Sequence, residues 1–139
     1  LFGINDSDIL LYREVGEFCS TLKDKDYFKN ISIKFVSTGV HNYHSFVYAR
    51  NNTLYCFGNN RDKVFGVSTE ADLVKTPTLI EYNFDSYIKQ IKCGYQHSLF
   101  LTEKGNVYGC GSNTYEQLST KYGDNGLIQK IIDTNNITQ

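Results

Sequence analysis

Apolar residues in this chain fall into short clusters separated by polar turns rich in Gly and Asn. Ser98-Leu99-Phe100-Leu101-Thr102 is nearly continuous in apolar character and is bounded by Gly94 and by Glu103-Lys104-Gly105-Asn106. A run of that length between turn signals predicts a strand covered on both faces. Tyr87 to Cys93 reads as the strand before it, ending at Gly94, where a residue without Cβ lets the chain turn tightly. The Gly105 turn returns the chain antiparallel into Val107 to Gly111, whose glycines imply close approach by a neighbouring sheet. Ile128 to Ile132 follows as an edge-like fourth strand. The earlier half predicts the same series at Ile31 to Thr38, Ser45 to Arg50, Thr53 to Phe57 and Thr78 to Tyr82. Asn51-Asn52 takes the place of the Gly105 turn, because Asn tolerates left-handed backbone better than most residues. Lys23 to Asn30 reads as loop, and Glu70 to Lys75 as a possible helical turn ahead of Pro77.

The two halves are written twice at the level of residues. Gly39, His44 and Ser45 answer Gly94, His97 and Ser98; Gly58 and Asn60 answer Gly111 and Asn113. The offset is 55 residues from Gly39 to Gly94 and 53 from His44 to His97, because Val40 to Tyr43 holds two more residues than Tyr95-Gln96. Phe2-Gly3-Ile4-Asn5 stands 55 residues before Phe57-Gly58-Asn59-Asn60. The expected divisions are therefore 1–30, the end of a preceding repeat with a connecting loop; 31–82, a first repeat; and 83–139, a second, cut before the next. Units of about 50 residues that cannot bury their apolar faces alone stack into arrays. Four short antiparallel strands per unit are the pattern of a propeller blade, so the expected class is all-β, a fragment of a β-propeller. Further blades, from this polypeptide or an adjoining chain, are expected to cover the open faces.

Composition supports that class. The chain has 139 residues, with 11 Tyr, 9 Phe, one Pro and no Trp or Met, a balance that favours pleated, half-buried surfaces. Net charge is -1 from 14 basic and 15 acidic side chains, mixed along the sequence, so the basic stripe of a nucleic-acid binder is missing. No apolar run approaches the roughly 20 residues that span a bilayer. Cys19, Cys56, Cys93 and Cys110 form no Cys-x-x-Cys pair and read as buried thiols of an intracellular protein, cytoplasmic or nuclear, with a ciliary or organellar assembly left open. The Asn-x-Ser/Thr triplets at Asn30, Asn51 and Asn136 are expected by chance in so Asn-rich a chain.

These motifs closely resemble the repeats of the regulator of chromosome condensation family. Gly94-Tyr95-Gln96-His97-Ser98-Leu99-Phe100-Leu101-Thr102, Gly105-Asn106-Val107-Tyr108 and Gly111-Ser112-Asn113-Thr114-Tyr115-Glu116-Gln117-Leu118 follow the family pattern in order. The first copy is degenerate, with Arg61-Asp62-Lys63-Val64-Phe65-Gly66 where the family prefers Gly-Gln-Leu-Gly. The resemblance implies a seven-bladed propeller, of which this chain supplies about two blades and the outer part of a third. The founding member of the family exchanges guanine nucleotide on a small Ran-type GTPase while docking on chromatin; other members are scaffolds, ubiquitin-ligase modules or regulators.

No nucleophile elbow, phosphate-cradling loop or calcium loop is present, and Asp6-Ser7-Asp8 and Asp24-Lys25-Asp26 read as solvated acids. The chain is therefore expected to be no enzyme and to need no cofactor or metal. His44 and His97 recur with the repeat, together with Gly39, Ser45, Gly58, Asn60, Gly94, Ser98, Gly105, Gly111 and Asn113. Each is expected to hold its unit, the histidines by bonding backbone near the Gly turn. The candidate partner contacts are in loops carried on a rigid scaffold: His41, Tyr43, Arg61, Tyr95, Gln96, Tyr115 and Glu116. The expected function is protein interaction or scaffolding. The alternatives are nucleotide exchange on a small GTPase and structural packing in a large assembly.

Overall fold

The computed structural model describes residues 27–28, 30–39, 44–67, 71–119, 121 and 126–136. Asp6, Asp8, Cys19, Asp24, Asp26, His41 and Tyr43 lie outside these. Among the described residues, eight strands form two four-stranded antiparallel sheets, each a simple meander. The first contains β1 (Ile33–Thr38), β2 (His44–Ala49), β3 (Leu54–Asn59) and β4 (Leu73–Leu79). The second contains β5 (Ile88–Cys93), β6 (His97–Thr102), β7 (Val107–Gly111) and β8 (Gln129–Ile132), followed by a 3-10 turn at Thr134–Asn136.

The turns between the central strands match as the sequence predicts. Asn52 has φ 66° and Gly105 φ 85°, the left-handed conformation that each residue type tolerates. Correspondence extends to register: His44 faces Gly58 and His97 faces Gly111 across equivalent strand pairs.

Three expectations are corrected. The fourth strand of the first sheet is Leu73–Leu79, not Thr78 to Tyr82, and it replaces the helical turn considered for Glu70 to Lys75. Pro77 is accommodated because β4 is an edge strand and the pairing slips between Cys56↔Thr78 and Gly58↔Val74, leaving Lys75 to Pro77 off the ladder. The close approach at Gly109 comes from its own unit and not from another sheet: a Cβ there would meet Leu118, Ile131 and Leu99 side chains. Finally, among the described residues β6 is fully buried on one face and half-buried on the other. Ser98, Phe100 and Thr102 are buried while His97, Leu99 and Leu101 are half-buried. By contrast, every residue of β2 is buried.

That difference follows from where β2 lies. Its Phe46 and Tyr48 enter a core shared by both sheets, with Phe65, Ile88, Ile91, Phe100 and Cys110. Its Val47, pointing the opposite way, joins Phe28 and Phe57, with Ile33, Val36 and Tyr55 against them. The two sheets meet through β5, which lies against β1 and β2. Phe46 and Phe100 form the centre of the contact, edge to face at 5.3 Å between centroids. The interface also carries polar links: Ser37 Oγ donates to Ile91 O at 3.1 Å, and Ile88 N–H donates to Tyr48 Oη at 3.2 Å.

Candidate functional site: the loop cleft between the two sheets

At the end of the strands where β2 and β6 begin, the seam between sheets opens into a cleft of about 380 Å³ lined by His44, Asn59, Arg61, Asp62, Val64, Tyr95 and Gln96. Arg61 comes from the β3–β4 loop of the first sheet, Tyr95 and Gln96 from the β5–β6 loop of the second. Three of the residues expected to contact partners are thus brought together across two units. Tyr115 and Glu116 belong to the β7–β8 loop and do not line this cleft; Tyr115 is 84% exposed.

The loops owe their positions to the repeated asparagines. Asn60 Oδ1 accepts from Phe65 N–H at 3.3 Å, and its Nδ2 donates to Ala71 O at 3.2 Å. In the second unit Asn113 Oδ1 accepts from Leu118 N–H, and its Nδ2 donates to Ser119 O, both at 2.9 Å. Within these pinned loops, Lys63 and Glu116 occupy the same repeat position and share left-handed backbone, with φ 54° and 58°. Tyr95 is 59% exposed at the rim and Arg61 is exposed, whereas Gln96 is partly buried and uses its carbonyl to accept from Ser112 N–H at 2.8 Å.

The floor of the cleft is a polar staple between units. Ser98 Oγ of β6 donates to Val64 O of the first unit at 2.8 Å and lies 3.3 Å from His44 Nε2. A hydroxyl has one proton to give. Since that proton goes to Val64 O, His44 donates through Nε2–H and is the neutral tautomer protonated there. Cys110 Sγ also donates to Val64 O, at 3.1 Å. Burial, reinforced by the neighbouring His97, holds the His44 pKa down at about 4. His97 is lowered as well, by burial. Burial pushes the Cys56 thiol up to about 12 and Cys93 to about 11, and raises Cys110 well above its ordinary value. All three therefore stay thiols at neutral pH, a state poor in nucleophilicity and metal affinity. Among the described residues no three His, Cys, Asp or Glu side chains converge on a metal position.

Each histidine ring also explains the glycine before it. A Cβ on Gly39 would lie 2.6 Å from His44 Cε1, and one on Gly94 2.2 Å from His97 Cε1. The imidazole occupies the space that a side chain would need, so close approach and not a tight turn selects glycine. Gly39→Ala is expected to push the pinned His44 ring off its bond to Ser98 and cost about 1–3 kcal/mol, read as a lowered urea midpoint. The partner of His44 also differs from expectation: it is a serine of the next unit and not nearby backbone.

Sequence reasoning passed over Asn106, which closes the second sheet. Its Oδ1 accepts from Thr134 N–H at 2.8 Å and from Thr134 Oγ1 at 2.9 Å, and its Nδ2 donates to Asp85 Oδ2. Asn106 is 1% exposed. A polar residue beside a strand start carries no such signal unless the distant Asp85 and Thr134 are known to meet there.

Comparison with known proteins decides what these two sheets are. Models described as "Regulator of chromosome condensation (RCC1) repeat" match residues 51–101 and 88–117. The chain carries regulator of chromosome condensation repeats. Its two sheets are antiparallel four-stranded blades of a β-propeller fragment, and solved structures of such propellers superpose on it. Prp20p from Saccharomyces cerevisiae does so with a TM-score of 0.58 and 27% identity, over 76% of this chain and 27% of that one. Human WBSCR16 gives 0.58 and 29%, over 70% and 25%. Among curated relatives, the human X-linked retinitis pigmentosa GTPase regulator is 35% identical over 103 residues, which are 74% of this chain and 10% of that protein. The Bos taurus secretion-regulating guanine nucleotide exchange factor is 32% identical over 117 residues, 84% of this chain and 22% of that protein. The repeats here thus span 10% to 22% of the length of those relatives.

Proposed function

We propose that this repeat pair is part of a propeller that acts by docking a protein on its loop face, with a small GTPase as the partner class. The carrying observation is convergence: Arg61, Tyr95 and Gln96, from two separate blades, edge one cleft above a floor committed to structure. Arg and Tyr are the residue types that most often anchor protein interfaces. The choice of a GTPase is supported by relatives named as a GTPase regulator and a guanine nucleotide exchange factor, and by Prp20p, which is described as binding Gsp1p and histones. Such a module works without covalent chemistry. It binds the GTPase, and exchange follows where the bound complex favours the nucleotide-free state.

The test uses the full-length protein against a panel of small GTPases loaded with fluorescent nucleotide, reading both capture and nucleotide release. Capture of one member is expected, weakened roughly tenfold or more when Arg61 and Tyr95 are both replaced by Ala. Accelerated release would identify an exchange factor; capture without acceleration would identify a docking scaffold. Failure to capture any GTPase would remove the reading.

A further inference from the structure

The ends of the strands opposite the loop cleft carry a second hollow of about 520 Å³, within the range of roughly 300–1,000 Å³ that ligand sites occupy. The β2–β3 turn contributes Asn52, the end of β4 contributes Leu79, and the link into β5 contributes Glu81, Tyr82, Phe84 and Tyr87. That link is pinned at both ends. Ile80 N–H donates to Leu54 O at 2.8 Å, and Tyr87 O accepts from Glu103 N–H at 2.9 Å. Between those anchors the Phe84 ring packs edge to face on Tyr82 at 4.7 Å and on Tyr108 at 5.1 Å between centroids. Tyr82 and Tyr87 nevertheless stay 38% and 58% exposed. The hollow is thus formed in advance, with large rings open to solvent, which lowers the ordering cost of binding.

Charge selects the occupant. Glu81 is exposed and is the only charged side chain lining the hollow, and among the described residues it makes no ion pair. An apolar or anionic group seated on the rings would strip water from that carboxylate and leave it unmatched. A cation meets both surfaces at once, since the face of a tyrosine ring attracts positive charge. The protein already uses its rings in this way: Lys34 Nζ lies 5.7 Å from the Tyr48 centroid and Lys130 Nζ 5.6 Å from that of Tyr108. Among the described residues no Lys or Arg takes such a place over Tyr82 or Tyr87. Lys130 does not oppose a further cation, because Asp85 and Asp133 carboxylates lie 3.8 Å and 3.5 Å from its Nζ. We propose that this hollow binds an arginine side chain on a flexible basic segment of a partner protein. The guanidinium stacks on a tyrosine face and forks onto the Glu81 carboxylate, a geometry that an ammonium does not offer. The hollow stands at the opposite ends of the strands from Arg61 and Tyr95, so the proposal does not depend on which protein docks at the loop cleft.

The experiment titrates the full-length protein into a fluorescein-labelled Gly-Arg-Gly-Arg-Gly peptide and follows anisotropy. Saturable binding with a Kd on the order of 0.1–1 mM is expected. Citrulline in place of arginine keeps the shape and loses the charge, and should weaken binding about tenfold or more. Lysine in place of arginine should bind more weakly than arginine, and equal or tighter binding would overturn the guanidinium assignment. Glu81→Gln and Tyr87→Ala are each expected to weaken the arginine peptide about tenfold. Both side chains are exposed, so the melting temperature should not move. The double variant Arg61→Ala, Tyr95→Ala should bind the peptide as the wild type does, and a loss there would place the peptide at the cleft and overturn the proposal. Absence of saturation up to about 5 mM, or equal binding of the citrulline peptide, overturns it as well. So does unchanged affinity in Glu81→Gln and Tyr87→Ala.

Discussion

Phe46→Ala is expected to destabilise the full-length protein by about 3–5 kcal/mol, seen as a large drop in urea midpoint with little change in slope. Phe46 is fully buried and sits where both blades contribute rings: Phe65 at 5.5 Å and Phe100 at 5.3 Å between centroids, both edge to face. Truncation removes the ring from a site whose walls belong to two sheets. Neither sheet can close the gap without shifting against the other, so the cavity persists and its cost adds to the lost burial. Tyr115→Ala is the matched control. That ring is 84% exposed, and its loss should change stability by no more than about 0.5 kcal/mol.

Acid should weaken the blade pair in a window set by His44. Its pKa is about 4 in the folded protein, against 6.5 for the free side chain. Protonation therefore favours the unfolded chain. The stability His44 contributes is complete above pH about 6.5 and is lost as pH falls from there toward 4. At about 1.4 kcal/mol per pKa unit the loss is on the order of 3 kcal/mol. The physical event is plain: a second proton on the ring places a charge in the buried seam beside Ser98. Asp85 acts in a lower window. Burial raises its pKa, but the hydrogen bond from Asn106 and the charges of Lys130 and Lys104 bring it below 3.8 overall. Its contribution is lost only as pH falls below that value. The check is a series of urea midpoints from pH 7.5 to 4.5 for the wild type and for His44→Gln. The wild type should lose stability steeply and the variant much less; equal slopes would assign the acid loss to other groups.

The blades were legible because their signals are local and duplicated. A Gly shortly before His-Ser, the apolar run after it and the Gly105 or Asn52 turn each mark a strand edge within a few residues, and each appears twice, the first copy with two more residues between Gly39 and His44. Leu73–Leu79 was not legible, since an edge strand with Lys75, Thr76 and Pro77 off the ladder shows neither strict alternation nor a continuous apolar run. The half-covered state of β6 was hidden for a different reason: Leu99 and Leu101 advertise burial whatever lies on that face. The His44–Ser98 link was out of reach because it depends on how two sheets lean together, across 54 residues of chain. Of the loop residues, Arg61, Tyr95 and Gln96 could be nominated by their repeat positions, but only the lean of the blades brings them to one cleft. Gly39 and Gly94 carried a correct mark with the wrong cause attached, as a glycine under a ring and a glycine in a turn look alike in sequence.

All of this rests on the two repeats packing as neighbouring sheets through a shared core. The most direct measurement is a double-mutant cycle on Phe46 and Phe100 in the full-length protein, using Leu at each position so that the single and double variants remain folded. Rings from different blades in edge-to-face contact should couple by about 0.5–1.5 kcal/mol. Strict additivity, with coupling below about 0.3 kcal/mol, would mean that the two sheets do not meet there.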